Sequence, residues 1–127
     1  MDINDLKRKI KAQKSMSLEL GKIRVDLIIP SDFDVQLQAV KAGLGEKNKP
    51  EAMLLFKRAV TESAVTGWSG VTVGYLTGEN QDDVVDFDQQ LVGDFLDANK
   101  NNYDTISEAL LVKVFERRDV VESAKKN

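Results

Sequence analysis

The chain has 127 residues, of which 42% are hydrophobic and 31% charged, with a net charge of −3. That is the size and balance of one soluble globular domain. It contains no cysteine and no histidine, which removes disulfides, thiolate catalysis and sulfur-ligated metal, together with the commonest general base and transition-metal ligand. No apolar run approaches the ~20 residues of a membrane helix, and the start, Met1-Asp2-Ile3-Asn4-Asp5-Leu6, is too acidic and polar for a signal peptide.

Asp2 to Lys14 carries Ile3, Leu6 and Ile10 at helical spacing, with Asp2 and Asn4 as N-cap candidates and Lys11 and Lys14 at the favourable end of the dipole. A helix over 2–14 follows. The period then changes to two. Met16, Leu18 and Leu20 alternate with polar residues, and after Gly21-Lys22 so do Ile23, Val25, Leu27 and Ile29. Two alternating runs joined by a Gly-X pair predict a β-hairpin over 15–29 with a type II′ turn. Pro30 ends the second strand.

A largely helical body is expected over 31–125. Ser31 is an N-cap with Asp34 in the first turn, and Phe33, Leu37 and Val40 form the apolar stripe of a helix that stops at Gly43 or Gly45. Glu46 to Lys49 reads as a polar loop. Pro50 opens the next helix, Glu51 to Val65, with Met53, Phe56, Ala59 or Val60, and Ala64 turned inward. Gly67 is expected to cap it in the left-handed conformation, delivering Trp68, the single tryptophan, from a tight corner, with Gly70 turning the chain again. The β-branched stretch from Gly67 to Gly78 could hold a short strand or a second hairpin, and Glu79 to Asp86 a loop. Asp86 or Asp88 caps a helix carrying Leu91, Phe95 and Leu96, with Phe87 as its hydrophobic staple. Asn99 to Asn102 breaks it. A last helix begins near Asp104 with Ile106, Leu110, Val114 and Val121 on its inner face. The fold class is α+β, predominantly α-helical, with about five helices and one N-terminal β-hairpin in a single compact domain.

Reactive chemistry is thin. Glu79, Asp82, Asp83, Asp86 and Asp88 are the densest carboxylates, but their spacing does not match the calcium loop, which needs Gly at its sixth position and Glu at its twelfth. Gly67, Gly70, Gly74 and Gly78 lack the Gly-Lys-Ser/Thr ending of a phosphate loop. No serine has a histidine to activate it. We therefore expect a non-enzyme with no cofactor and no metal. Charge is segregated: residues 1–58 carry a net +4, residues 59–99 a net −8 and residues 100–127 a net +1. An acidic middle does not suit nucleic acid; it could meet the basic flanks of another copy. Trp68 is either a core tryptophan or an anchor in a protein surface.

Several stretches together resemble the small tail assembly chaperones of long-tailed (siphophage-type) bacteriophages. They are the hairpin with Ile23-Arg24-Val25, the Pro30-Ser31 helix start, the run Ala64-Val65-Thr66-Gly67-Trp68-Ser69-Gly70-Val71, the Phe87-centred helix start and the finish Glu122-Ser123-Ala124-Lys125-Lys126-Asn127. The resemblance spans roughly residues 20–127. The chain departs from the pattern after Val71, where a long glycine-punctuated linker replaces the short Asp/Gly turn of many such proteins. The resemblance implies a helical protein of the host cell cytoplasm that binds the tape measure and tail tube proteins before tail polymerisation. It also implies self-association, no nucleic-acid or membrane partner, and absence from the mature virion. Its motif residues, Gly67, Trp68, Gly70, Val71 and Phe87, become the candidate partner surface, and a frameshifted longer form is a family feature. The alternatives are a small virion structural protein, for head–tail joining or tail completion, and a regulatory protein that binds a host factor.

Overall fold

The computed structural model describes residues 2–46 and 49–126. In chain order these form α1 (Ile3–Lys14), β1 (Ser15–Leu20), β2 (Ile23–Ile28), α2 (Asp32–Ala42), α3 (Lys49–Ala64), β3 (Val65–Ser69), α4 (Val73–Thr77), a 3-10 turn (Gln89–Leu91), α5 (Val92–Ala98) and α6 (Lys100–Lys126). The architecture is α+β and mostly helical, as the patterning predicts, with a three-stranded antiparallel sheet in the order β1-β2-β3. Among the described residues no helix is long and apolar enough to cross a membrane.

The hairpin forms where the alternation places it. Leu20 pairs with Ile23 across Gly21-Lys22, and Gly21 has φ 65 while Lys22 stays at negative φ, as a type II′ turn requires. Met16, Leu18 and Leu20 lie opposite Leu27, Val25 and Ile23, so one face of the sheet is apolar. The other face is polar: Asp26 accepts from Ser17 Oγ at 2.7 Å and from Arg24 Nε at 3.2 Å.

Strand β2 becomes the central strand because a third strand joins it, and here the sequence expectation fails. Gly67 is not a left-handed helix cap. Helix α3 ends at Ala64 and the chain enters β3 at once, with Val65 opposite Leu27 and Trp68 opposite Val25. Gly67 keeps a negative φ within the strand, and a Cβ there would come 3.1 Å from Asp26 Oδ2. Its value is the space it leaves for that carboxylate. The β-branched pair Val65-Thr66 favours the sheet, and pairing with β2 outweighs the local cap signal. Gly70 does take φ 77, and a Cβ on it would meet the Lys22 carbonyl oxygen at 2.2 Å, so the chain leaves β3 against the hairpin turn through a position open only to glycine.

One buried cluster joins every element except α1. It contains Val25 and Leu27 of β2, Val60 of α3, Phe95 of α5, and Ile106 and Leu110 of α6. Ser31 and Asp34 close a capping box at the start of α2, which ends at Gly43. Two expectations about helix faces change. Met53 is 49% exposed rather than inward, while Ala52 and Phe56 are buried beside Val60 and Ala64. On α2, Phe33, Leu37 and Val40 point to solvent, and Val35, Ala39 and Ala42 face the core. Helix α6 starts at Lys100, not near Asp104, because Asn99 caps it by accepting from the Asn102 N–H at 3.0 Å. Its inner face is Ile106, Leu110 and Val114, as expected. The Val121 side chain, Lys47 and Asn48 of the expected loop, and the last residue, Asn127, lie outside what is described.

Gly70→Ala is expected to cost at least ~2 kcal/mol in urea unfolding, since it adds both a steric clash and a strained φ. Gly21→Ala, which has open space around its Cβ, should cost only about 1 kcal/mol.

Candidate functional site

Of the motif residues, Trp68 and Val71 are buried, Gly67 and Phe87 are half-buried and Gly70 is exposed. The indole is 8% exposed. It stacks on Phe95 of α5 at 4.9 Å between ring centroids and takes the edge of Phe87 at the same distance. Its Nε1–H donates to the Val85 carbonyl at 3.0 Å. Val71, three residues on, is fully buried. Trp68 thus behaves as the core tryptophan among its two sequence readings, apolar on its faces and hydrogen-bonded at its one polar atom. Phe87 is held by Trp68.

The glycine-punctuated linker is folded around this centre. Val85 N–H donates to Val71 O, Val73 N–H to Asp83 O and Gly74 N–H to Gln81 O, at 2.8–2.9 Å. Thr72 and Val84 form an isolated antiparallel bridge. Between these arms Thr72 caps the single-turn helix α4, which the sequence pattern does not show. Gly74 sits where a Cβ would fall 2.5 Å from Glu79 O, so the two arms close on its bare Cα. Glu79, Asp82, Asp83, Asp86 and Asp88 all remain exposed on this clamp. Among the described residues no three carboxylates converge as a metal site.

A polar hub ties α3 to α5 and α6. Arg58 donates to Asp97 Oδ1 at 2.8 Å, to the Gly93 carbonyl at 3.0 Å and to Glu62 at 3.4 Å. Its guanidinium and the Lys57 ammonium each lie 5.6 Å from the centre of the Tyr103 ring. Burial alone would lower the Arg58 pKa, but Asp97 and Glu62 outweigh it and hold the guanidinium above its ordinary value. Burial raises the Tyr103 pKa above 10.0; Arg58 opposes this, and Asp104 and Glu62 reinforce it.

An apolar concave surface lies elsewhere. A cleft of about 230 Å³ opens between α2, α3 and α6, walled by Val35, Phe56, Leu111, Val114 and Phe115, with Asp32 and Gln36 on its α2 rim. Phe115 is 57% exposed at its mouth. The volume is below the ~300–1,000 Å³ of small-molecule sites and suits one or two apolar side chains. Single-sequence periodicity misses this cleft, because its walls come from three helices distant in the chain. The one local signal is that α2 and α6 carry more apolar residues than one buried face needs.

The hub generates a pH prediction. The Tyr103 hydroxyl is held protonated in the fold, above its unfolded value near 10. Its contribution is therefore intact below pH 10 and is lost as pH rises through the folded value. Urea midpoints should fall more steeply above pH 10 in the native chain than in Tyr103→Phe. Arg58→Ala should cost about 1–2 kcal/mol at pH 7, whereas Asp97→Ala, whose side chain is 71% exposed, should cost less than about 1 kcal/mol.

No family model, no curated protein and no solved structure matches this chain.

Proposed function

We propose that the chain is a tail assembly chaperone of a long-tailed bacteriophage, acting in the host cell cytoplasm and absent from the mature virion. Its task is to bind tape measure and tail tube polypeptides before the tail polymerises. The observation that carries this reading is the apolar cleft between α2, α3 and α6, with Phe115 standing at its mouth. An amphipathic helix binds such a cleft by seating side chains at i, i+3 or i+4 spacing. A tape measure polypeptide, long and helical, would offer many such faces. Exposed apolar side chains at a cleft cost solubility unless something covers them, and a chaperone exists to exchange that cover.

The mechanism needs only differential binding. The cleft shields an apolar stripe of the unassembled polypeptide from others of its kind, and the stripe is released when a larger apolar surface competes in the growing tail. The exposed acidic clamp at 79–88 keeps the loaded complex repelling its neighbours. The Gly-Trp motif supports this indirectly: it fixes α5 and the clamp to the sheet, so α6 has a rigid bed.

Co-expression tests the reading. The chain should raise the soluble yield of a tape measure segment from the same phage several-fold, and Phe115→Asp, at an exposed position, should abolish the gain without lowering the chain's own melting temperature. Equal client solubility with and without the chain would overturn the proposal. So would recovery of the chain, by mass spectrometry, from purified virions at stoichiometric levels.

A further inference from the structure

Helix α1 is 12 residues long and amphipathic, yet residues 2–13 are all exposed, with Ile3 at 67%, Leu6 at 47% and Ile10 at 42%. A helix of that length is marginal in water unless its apolar face is covered. It cannot readily cover itself. Ser15 both ends α1 and begins β1, and the Lys14 carbonyl accepts from the Ile29 N–H, so the helix is clamped to the end of the sheet. Helix α2 shows the complementary anomaly. Its inner face packs on the core, and its outer face presents a second apolar stripe, with Phe33 72%, Leu37 39% and Val40 76% exposed.

The two stripes match in one orientation only. Ile3, Leu6 and Ile10 are spaced three then four; Val40, Leu37 and Phe33, taken in the reverse direction, are spaced three then four. The charges match in that same orientation. Past Leu6, α1 bears Lys7, Lys11 and Lys14, and the N-terminal turn of α2 bears Asp32 and Asp34. At the other end, Asp2 and Asp5 of α1 would face Lys41 of α2. Antiparallel helix dipoles favour it too. The whole chain is complementary in the same sense. Residues 1–14 carry five Lys/Arg and two Asp/Glu, a net of +3, and the remaining 113 residues carry 13 and 19, a net of −6.

We propose that α1 of one molecule packs antiparallel on the outer face of α2 of a second copy, and reciprocally, so that the chain is a twofold dimer held by exchanged N-terminal helices. Leu6 meets Leu37 at the centre of each pair, Ile3 meets Val40 and Ile10 meets Phe33. Reciprocity matters, because one such helix pair is small beside the ~1,600 Å² of a standard interface, and a twofold axis doubles it. The chaperone reading carries an expectation of self-association, and this inference names its surface.

The full chain, which has no native cysteine, allows a direct test. Sedimentation equilibrium at tens of micromolar should give twice the 14.1 kDa chain mass. Leu6→Asp or Leu37→Asp should return the single-chain mass, with the Trp68 emission and melting temperature of the core unchanged. Mixed Leu6→Cys and Leu37→Cys chains should form a disulfide-linked heterodimer on mild oxidation. A single-chain mass for the native protein would overturn the proposal, as would a dimer indifferent to Leu6→Asp. An intramolecular disulfide in the Leu6→Cys/Leu37→Cys chain, or Leu6-dependent binding to phosphatidylserine vesicles by an otherwise monomeric protein, would also overturn it. These readouts are mass and cross-linking, so their failure is separable from a failure to protect a tape measure segment.

Discussion

The indole of Trp68 is the contact on which the rest of the structure depends. It stands on β3 beside the central strand, stacks on Phe95 of α5, receives the edge of Phe87 and bonds the Val85 carbonyl. Sheet, helix and the 71–88 clamp are thereby joined at one side chain. Its position follows from two glycines with different duties. Gly67 makes room for Asp26, and Gly70 lets the chain pass over the hairpin turn. An aromatic cluster of this kind contributes through buried area and through ring geometry, and Val71, Tyr75 and Leu76 of the clamp pack on the same core.

With the core so fixed, the molecule has more apolar helix surface than its core consumes. Helix α2 is apolar on two sides, α1 has an apolar stripe with nothing beneath it, and α6 places Phe115 beside a cleft. A helix apolar on more than one face is ordinarily buried on more than one face. The surplus therefore lies at the surface. Two surfaces share that surplus: a concave one between α2, α3 and α6, to which we assign the proposed client, and the convex stripes of α1 and α2, to which we assign the proposed second copy. The Arg58 hub sits opposite in character. Its hydrogen bonds run to α5, and its cation lies over Tyr103 of α6, so it orients the helix bed polar group by polar group without offering a binding face.

Much of the fold is legible along the chain where the signal is local. The hairpin over 15–29 shows in strict alternation and a Gly-X turn; the start of α2 shows in Ser31 and Asp34; the inner face of α6 shows in Ile106, Leu110 and Val114. The failures share one cause. A glycine after a helical run signals a cap, but Val65 and Thr66 had a strand to pair with 38 to 40 residues earlier in the chain, and that pairing is not encoded nearby. Helix α4 rests on Thr72 and on hydrogen bonds to residues 81–85, so no window of its own sequence announces it. Of the candidate site, the motif glycines and Trp68 stand out in the sequence, yet the burial of Trp68 does not, and the cleft does not register at all.

By itself the sequence determined the element types in its periodic stretches, the turn at Gly21 and the lack of thiol and imidazole chemistry, because each depends on residues close together or on composition alone. Tertiary structure alone decided that Trp68 is a strand residue, that Phe33, Leu37 and Val40 face solvent, and that Val35, Phe56 and Val114 meet across a cleft. Periodicity says which residues share a face of a helix; only the packing of distant elements selects which of two apolar faces is covered, and that choice is made by the competition for a single core.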